Sequence, residues 1–459
     1  MKYILSILSI FTLITGCTLS LDYQPRDAFG EQMAFKDYAS WEVMVRGCYS
    51  SLGDEALYGG FLSMGIGDLL TDNVEASPQN NGEYQQIYHW TFHAMNPQLT
   101  AIWEKAYHTV YLANTIIDQS FPTNDYENHK ERYEQMKAEA KLIRSMVHFD
   151  LIRLFSSYPF DENSMGVPYI KQRVFSLYQR ETIVSNLSNC IDDINEALPL
   201  LDKSTSPTTA NQRVAYYLLA KIYEYQDQKD KAINTLLHID LNSSDWIDQS
   251  KYRDSWTSYT SEGVLFEIIK TDKDNPQNAW IYYDTRNQRP KWYAPSTVVN
   301  SYGDSDVRKN LFFRKVGSNY EITKYMGQPG ADMPNGGTVK LLRMAEVHFL
   351  LWFLQIDNGD VTTSVVEDLN VYLKQRGESP YTFVDRSSLL DFIEKEYRKE
   401  FVYESKHFFR LKIRQQKIVR LISTQTMLLP ANDHRFTMPI PSVEMNANKK
   451  MKQNDGYES

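Results

Sequence analysis

The chain is poor in cysteine, with only Cys17, Cys48 and Cys190 in 459 residues. No two of them stand at a metal-ligand spacing, which argues against a structural zinc site, and three thiols cannot build a disulfide framework. Cys48 and Cys190 are therefore expected to be buried free thiols. Excess positive charge is also missing: 49 Lys and Arg against 58 Asp and Glu leave a net charge of -9. That balance excludes a broad nucleic-acid-binding surface, which needs surplus base to replace phosphate counterions. Beyond the N-terminus no apolar run nears the roughly 20 residues that span a bilayer. The longest lies near Phe349 to Leu354 and is flanked by charge. A glycine-rich phosphate loop, an HExxH and a GxSxG are absent as well, so neither a cofactor nor a metal is expected. Asp304 and Asp306 alone supply too few oxygens for calcium.

What is present is an ordinary globular composition, 42% hydrophobic and 23% charged, at a length that suits three domains or one large unit of repeats. Aromatic residues reach 13%, with 31 Tyr, 21 Phe and 8 Trp.

The chain opens on Lys2, an apolar run over 3–15, and then Gly16-Cys17. This is the layout of a secretory signal. Ile14-Thr15-Gly16-Cys17 resembles the lipobox of bacterial lipoproteins. The resemblance implies a signal peptide over 1–16, acylation of Cys17, and a lipid tether over 17–26. Two or three acyl chains, at roughly 0.8 kcal/mol per buried methylene, anchor a protein firmly.

Most of the remainder reads as amphipathic helices. Trp41, Val45, Cys48, Tyr49 and Leu52 make one stripe; Trp103, Tyr107, Tyr111, Leu112 and Ile116 make a second. A third runs over 138–155 and stops before Pro159, and a fourth runs from near Thr182 to Pro199. A partner helix follows over 213–225. Ala220, Tyr223, Ala232 and Leu236 fall near the relative spacing of a tetratricopeptide repeat, in which small residues let antiparallel helices approach. Further helices are expected over 339–355, 364–377 and 389–411, the last capped by Ser387 or Ser388. Arg343 and Glu346 are expected to pair on the first of these. Trp41, Trp103 and Trp352 lie on helical stripes and read as core. The helical scaffold thus occupies mainly 35–55, 100–240 and 339–425. Two regions, 58–97 and 256–338, break the pattern, with a short strand expected within 265–269. Long irregular segments in a compact protein are usually functional.

At this point a set of ordered motifs resembles one family, the SusD/RagB outer-membrane lipoproteins. Cys17 with Leu21-Asp22-Tyr23-Gln24-Pro25 resembles the mature start, and Gly67-Asp68 through Thr71-Asp72-Asn73 the early loop. Leu342-Arg343-Met344-Ala345-Glu346-Val347, Arg398-Lys399-Glu400-Phe401 with Glu404, and Pro439-Ile440-Pro441 through Gly456-Tyr457 resemble later signatures. Arg410 departs from the family, standing where an Asp is usual.

The resemblance implies a mainly α fold, tetratricopeptide-like helical pairs with long irregular loops and minor β structure, in a single SusD-like domain over 17–459. It also implies a binding protein rather than an enzyme, lipid-anchored in the outer membrane and facing the cell exterior. Such a protein captures oligosaccharide, or in some members peptide, for a SusC-like TonB-dependent transporter. A structural or adhesion lipoprotein is the alternative outside that role. Glu400 and Glu404, one turn apart, read as structural pairs or a solvated face and not as a glycosidase pair.

Sugars present apolar C–H faces with polar rims, and flat aromatic rings match them with little rotamer entropy to lose. The 256–338 region holds Trp280, Tyr282, Tyr283, Trp292 and Tyr293; the 58–97 region holds Tyr58, Tyr84, Tyr88 and Trp90 beside Asp72 and Asn73. If the two regions meet, they line one groove. The ligand-binding candidates are accordingly Asp72, Asn73, Trp90, Trp280, Tyr282, Tyr283, Trp292 and Tyr293, with at least one of Trp90, Trp280 and Trp292 expected on the ligand.

Overall fold

Helix α1, Tyr38–Leu52, begins where Asp37 accepts the Ser40 N–H and Ser40 Oγ accepts the Asp37 N–H, a reciprocal cap. It buries Trp41, Val45, Cys48 and Leu52, the stripe read from the sequence. The computed structural model describes residues 34–122, 124–174, 176–257, 260–269, 280–284, 286–326, 338–359, 363–422 and 425–457. Cys17, the 1–16 signal and the 17–26 tether lie outside the described residues.

Asn96 caps α2, Pro97–Asp118, with Pro97 in the first turn where a missing N–H is harmless. The long α3, Tyr126–Phe155, is interrupted at His129. Thr182 caps α4, Ile183–Ala197, and Asn211 caps α5, Gln212–Tyr225. Helix α6, Lys229–Leu236, folds back on α5 through fully buried Ala220, Ala232 and Leu236. The spacing of a small, close-packed helical pair was therefore a true signal. Cys48 and Cys190 are buried free thiols. Trp41, Trp103 and Trp352 are core.

The C-terminal half adds α7, Met344–Asp357; α8, Thr363–Arg376; α9, Arg386–Phe401; and α10, Lys406–Ile413. Three expectations need correction here. First, 339–343 is not helical: Thr338–Arg343 is a strand whose burial alternates along it, and it pairs antiparallel with Val264–Ile269. The expected strand over 265–269 is its partner. Second, the expected long helix over 389–411 is broken between α9 and α10, with Tyr403 and Ser405 in the left-handed region at φ 65° and 56°. Third, α9 is capped by Asp385, whose carboxylate accepts the Ser388 N–H, and not by either serine.

The described strands are β1, Glu75–Ala76; β2, Val264–Ile269; β3, Tyr283–Asp284; β4, Arg289–Pro290; β5, Trp292–Tyr293; β6, Phe313–Val316; β7, Asn319–Ile322; β8, Thr338–Arg343; β9, Ile418–Ile422; and β10, Gln425–Leu429. They form one four-stranded sheet in the order β1-β5-β7-β6 and three two-stranded ribbons. The fold is mainly helical with minor β structure. Short helices, Phe61–Met64, Ile66–Leu69 and Gln85–Tyr88, fill much of the region read as irregular. No helix among the described residues is long and apolar enough to cross a membrane.

Candidate functional site

The two loop-rich regions meet. Strand β1 pairs with β5, setting Glu75 opposite Tyr293 and Ala76 opposite Trp292. Ser77 N–H donates to Lys291 O at 3.2 Å, Asn80 Nδ2 donates to the same carbonyl at 3.1 Å, and Arg289 donates to Gln79 O at 3.0 Å. Segments about two hundred positions apart are thus joined by main-chain and side-chain hydrogen bonds.

At the outer edge of this junction, Trp280 and Tyr84 are half-buried with ring centroids 6.3 Å apart and planes 66° from parallel. The Lys291 ammonium lies 5.8 Å from the Trp280 ring centroid and 2.7 Å from the Glu83 carboxylate. Tyr84 adopts φ 56°, after Asn81 and Gly82, also at positive φ. That turn swings its ring against Phe61, 5.1 Å away. Gly60 lies under the indole: a Cβ there would come within 3.1 Å of Trp280 and 2.4 Å of the Glu55 carbonyl. Arg289 pairs with Asp284 at 2.9 Å beside them. Bonds from Asn287 first, and then from Arg289, hold the Asp284 carboxyl well below the usual range.

The sequence candidates divide. Trp280 and Tyr293 are half-buried and remain available to a ligand. Trp90, Tyr282, Tyr283 and Trp292 do not: they are 3%, 1%, 4% and 0% exposed. Trp90 donates its indole N–H to Leu70 O at 2.9 Å, and Trp292 packs 4.9 Å from Tyr88. Tyr282 donates to Met64 O and packs 5.0 Å from Tyr403. These rings are core because the two regions that carry them close on each other. Asn73 is also fully buried, donating to Asp68 Oδ1 at 2.7 Å. Asp72 is half-buried and paired with Arg398 at 3.0 Å. Tyr84, Glu83, Lys291 and Asn80, not among the candidates, also stand at this junction. Tyr84 was visible as one of the rings of the 58–97 region, and the Asn80-Asn81-Gly82 turn re-aims the residues that follow it.

Beneath the junction lies a lattice of buried charge. Arg343 donates to Glu400 at 2.7 Å and to Glu404 at 2.7 Å, not to the Glu346 expected on the same helix; Glu346 instead accepts the Arg343 backbone N–H. The difference arises because Arg343 ends a strand and its side chain turns toward α9. Arg376 and Arg308 reach Glu400 at 2.9 and 3.3 Å, and Lys324 reaches Glu404 at 2.6 Å. Burial would raise the Glu400 carboxyl, but Arg376 and Arg343 outweigh it and hold the group well below the usual carboxylate range. Both carboxylates are buried and engaged in these ion pairs, which is a structural role. No group of acids, histidines and cysteines suited to a metal occurs among the described residues.

A SusD-like family model, described as starch-binding and associating with the outer membrane, matches residues 37–223. Over that stretch, less than half of its length, the chain is similar to the SusD-like family. It is 25% identical over 162 residues to a SusD-like protein of Formosa agariphila, a stretch that is 35% of this chain but only 31% of that relative's length. A SusD superfamily structure from Bacteroides thetaiotaomicron shares the fold with a TM-score of 0.80 at 21% identity, covering 91% of this chain and 99% of that one. Another, from Bacteroides vulgatus, gives 0.79 at 21%, covering 93% and 100%. A SusD-like carbohydrate binding protein from Bacteroides vulgatus gives 0.74 at 18%, covering 91% and 98%. The described residues thus share the helical fold of these structures, and the Trp280–Tyr84 edge is mounted on it.

Proposed function

We propose that this chain captures oligosaccharide at the Trp280–Tyr84 edge and passes it to a SusC-like TonB-dependent transporter. In this reading it works without turnover, on the outer face of the outer membrane, held by acyl chains on Cys17. The observation that carries the reading is the meeting of Trp280 and Tyr84 at a half-buried edge with a carboxylate and an ammonium beside them. Two rings at an angle cradle the C–H face of a sugar, and Glu83 and Lys291 supply an acceptor and a donor for its hydroxyls. The family description as starch-binding, and the carbohydrate-binding relative of the same fold, support the ligand class.

The test is a glycan array followed by calorimetry on the winning glycan with Trp280→Ala. A loss of about tenfold or more in affinity supports the site, and unchanged affinity removes it. Metabolic labelling with an alkynyl fatty acid should mark the wild type and not Cys17→Ser. Equal labelling of the two would sink the anchor.

A further inference from the structure

A cleft of about 420 Å³ opens on a different part of the surface and shares no lining residue with the Trp280–Tyr84 edge. Its walls are α2, the loop residues 168–174 and 176–178, and the short helix Ser442–Ala447. The volume falls in the ~300–1,000 Å³ range of small-ligand sites.

The cleft is braced from three sides. Tyr107 donates to Pro168 O at 2.9 Å, Asn114 to Ile170 O at 2.9 Å, and Asn448 to Tyr178 O at 2.6 Å. These bonds fix Pro168, Ile170 and Tyr178 against both helices, so the space is pre-formed. Its walls are apolar where water reaches them: Tyr111, Val174 and Leu177 are 39%, 58% and 50% exposed. Large apolar side chains grouped about one concavity mark a binding surface.

Glu104 and Glu444 also line it, and neither is ion-paired among the described residues. Glu444 accepts only the Asn448 amide, at 3.0 Å, and its charge helps raise the Tyr107 hydroxyl behind the burial that dominates. Arg173 lines the cleft too, its backbone N–H donating to Asp118 at 3.0 Å. Two carboxylates that make no ion pair among the described residues, beside an apolar wall, complement a ligand with an apolar body and a positive head. They repel an anionic sugar, and a neutral sugar leaves their charge unanswered.

We propose that this cleft is a second binding site, for an amphipathic cation of the kind a basic residue beside an aromatic one presents. The reading does not depend on oligosaccharide capture at the other edge.

The test uses calorimetry on the purified full chain with acetyl-Phe-Lys-amide, the same peptide with norleucine for lysine, and phenethylamine. The lysine peptide should saturate below about 1 mM and bind about tenfold or more tightly than the norleucine peptide. Glu104→Gln with Glu444→Gln should erase that advantage while leaving the thermal midpoint and the glycan affinity unchanged. A peptide tighter than phenethylamine assigns the cleft to peptide segments; equal binding assigns it to small amines. Absence of saturation by all three probes, equal binding of the two peptides, or an advantage that survives the double substitution overturns the proposal.

Discussion

The carboxylate of Asp68 accepts the backbone N–H of Tyr403 at 2.9 Å, 335 positions away. Its second oxygen takes the Ser405 N–H at 2.8 Å, while Asn73 donates to the first. Two backbone donors in the gap between α9 and α10 are thus answered by the early loop, and Asn73 of that loop holds the carboxylate in place. Burial pushes the Asp68 carboxyl up to about 6 against the pull of Asn73 and the two N–H groups. Asp68→Asn should destabilise the chain by about 1–3 kcal/mol, since one oxygen becomes an amide that faces a backbone donor. Urea unfolding measures the loss; an unchanged midpoint would show the gap holds without it.

Glu400 faces three guanidinium groups, those of Arg343, Arg376 and Arg308. Glu400→Gln removes the one charge they share and leaves buried cations in poor balance. Breaking a buried pair from one side costs about 3–5 kcal/mol. Reduced yield and early unfolding are expected, measured by calorimetric scanning. A variant as stable as wild type would mean water reaches the lattice.

Lys412 is 3% exposed and donates to Arg153 O at 2.7 Å and Ser156 O at 2.8 Å. Burial, with Arg153 beside it, pushes its ammonium down to about 7. The unfolded lysine titrates near ~10.4, so between these values the unfolded chain holds more protons and stability attributable to Lys412 rises with pH. The stability difference between wild type and Lys412→Met should therefore move in favour of wild type from pH 7 to pH 10. A difference flat across that range would place the ammonium in a wetter setting.

Tyr84 contributes a ring face and a hydroxyl at the outer edge of the junction. Tyr84→Phe should keep most of the glycan affinity, and Tyr84→Ala should lower it about fivefold to tenfold, as the loss of one aromatic contact implies. Calorimetry on both variants checks this. Equal losses would assign the effect to the hydroxyl instead.

The helical frame was legible because its stripes at Trp41, Trp103 and Ala220 follow a local period. The gap after Phe401 was not, because the partners that stabilise it, Asp68 and Lys324, are remote in sequence. Residues 339–343 were misread for the same reason: they take their hydrogen bonds from Val264–Ile269. At the candidate site, aromatic content marked two regions that meet in the structure. It did not separate Trp280, which stays at the edge, from Trp292, which is sealed by Tyr88. The pairing of β1 with β5 is what turns Trp292 inward.

Lys291 and Glu83 cancel each other's charge at 2.7 Å beside the Trp280 ring. A mouth so neutralised exerts little long-range pull on its cargo, so capture there should run at nearly the same rate in dilute and in concentrated brine.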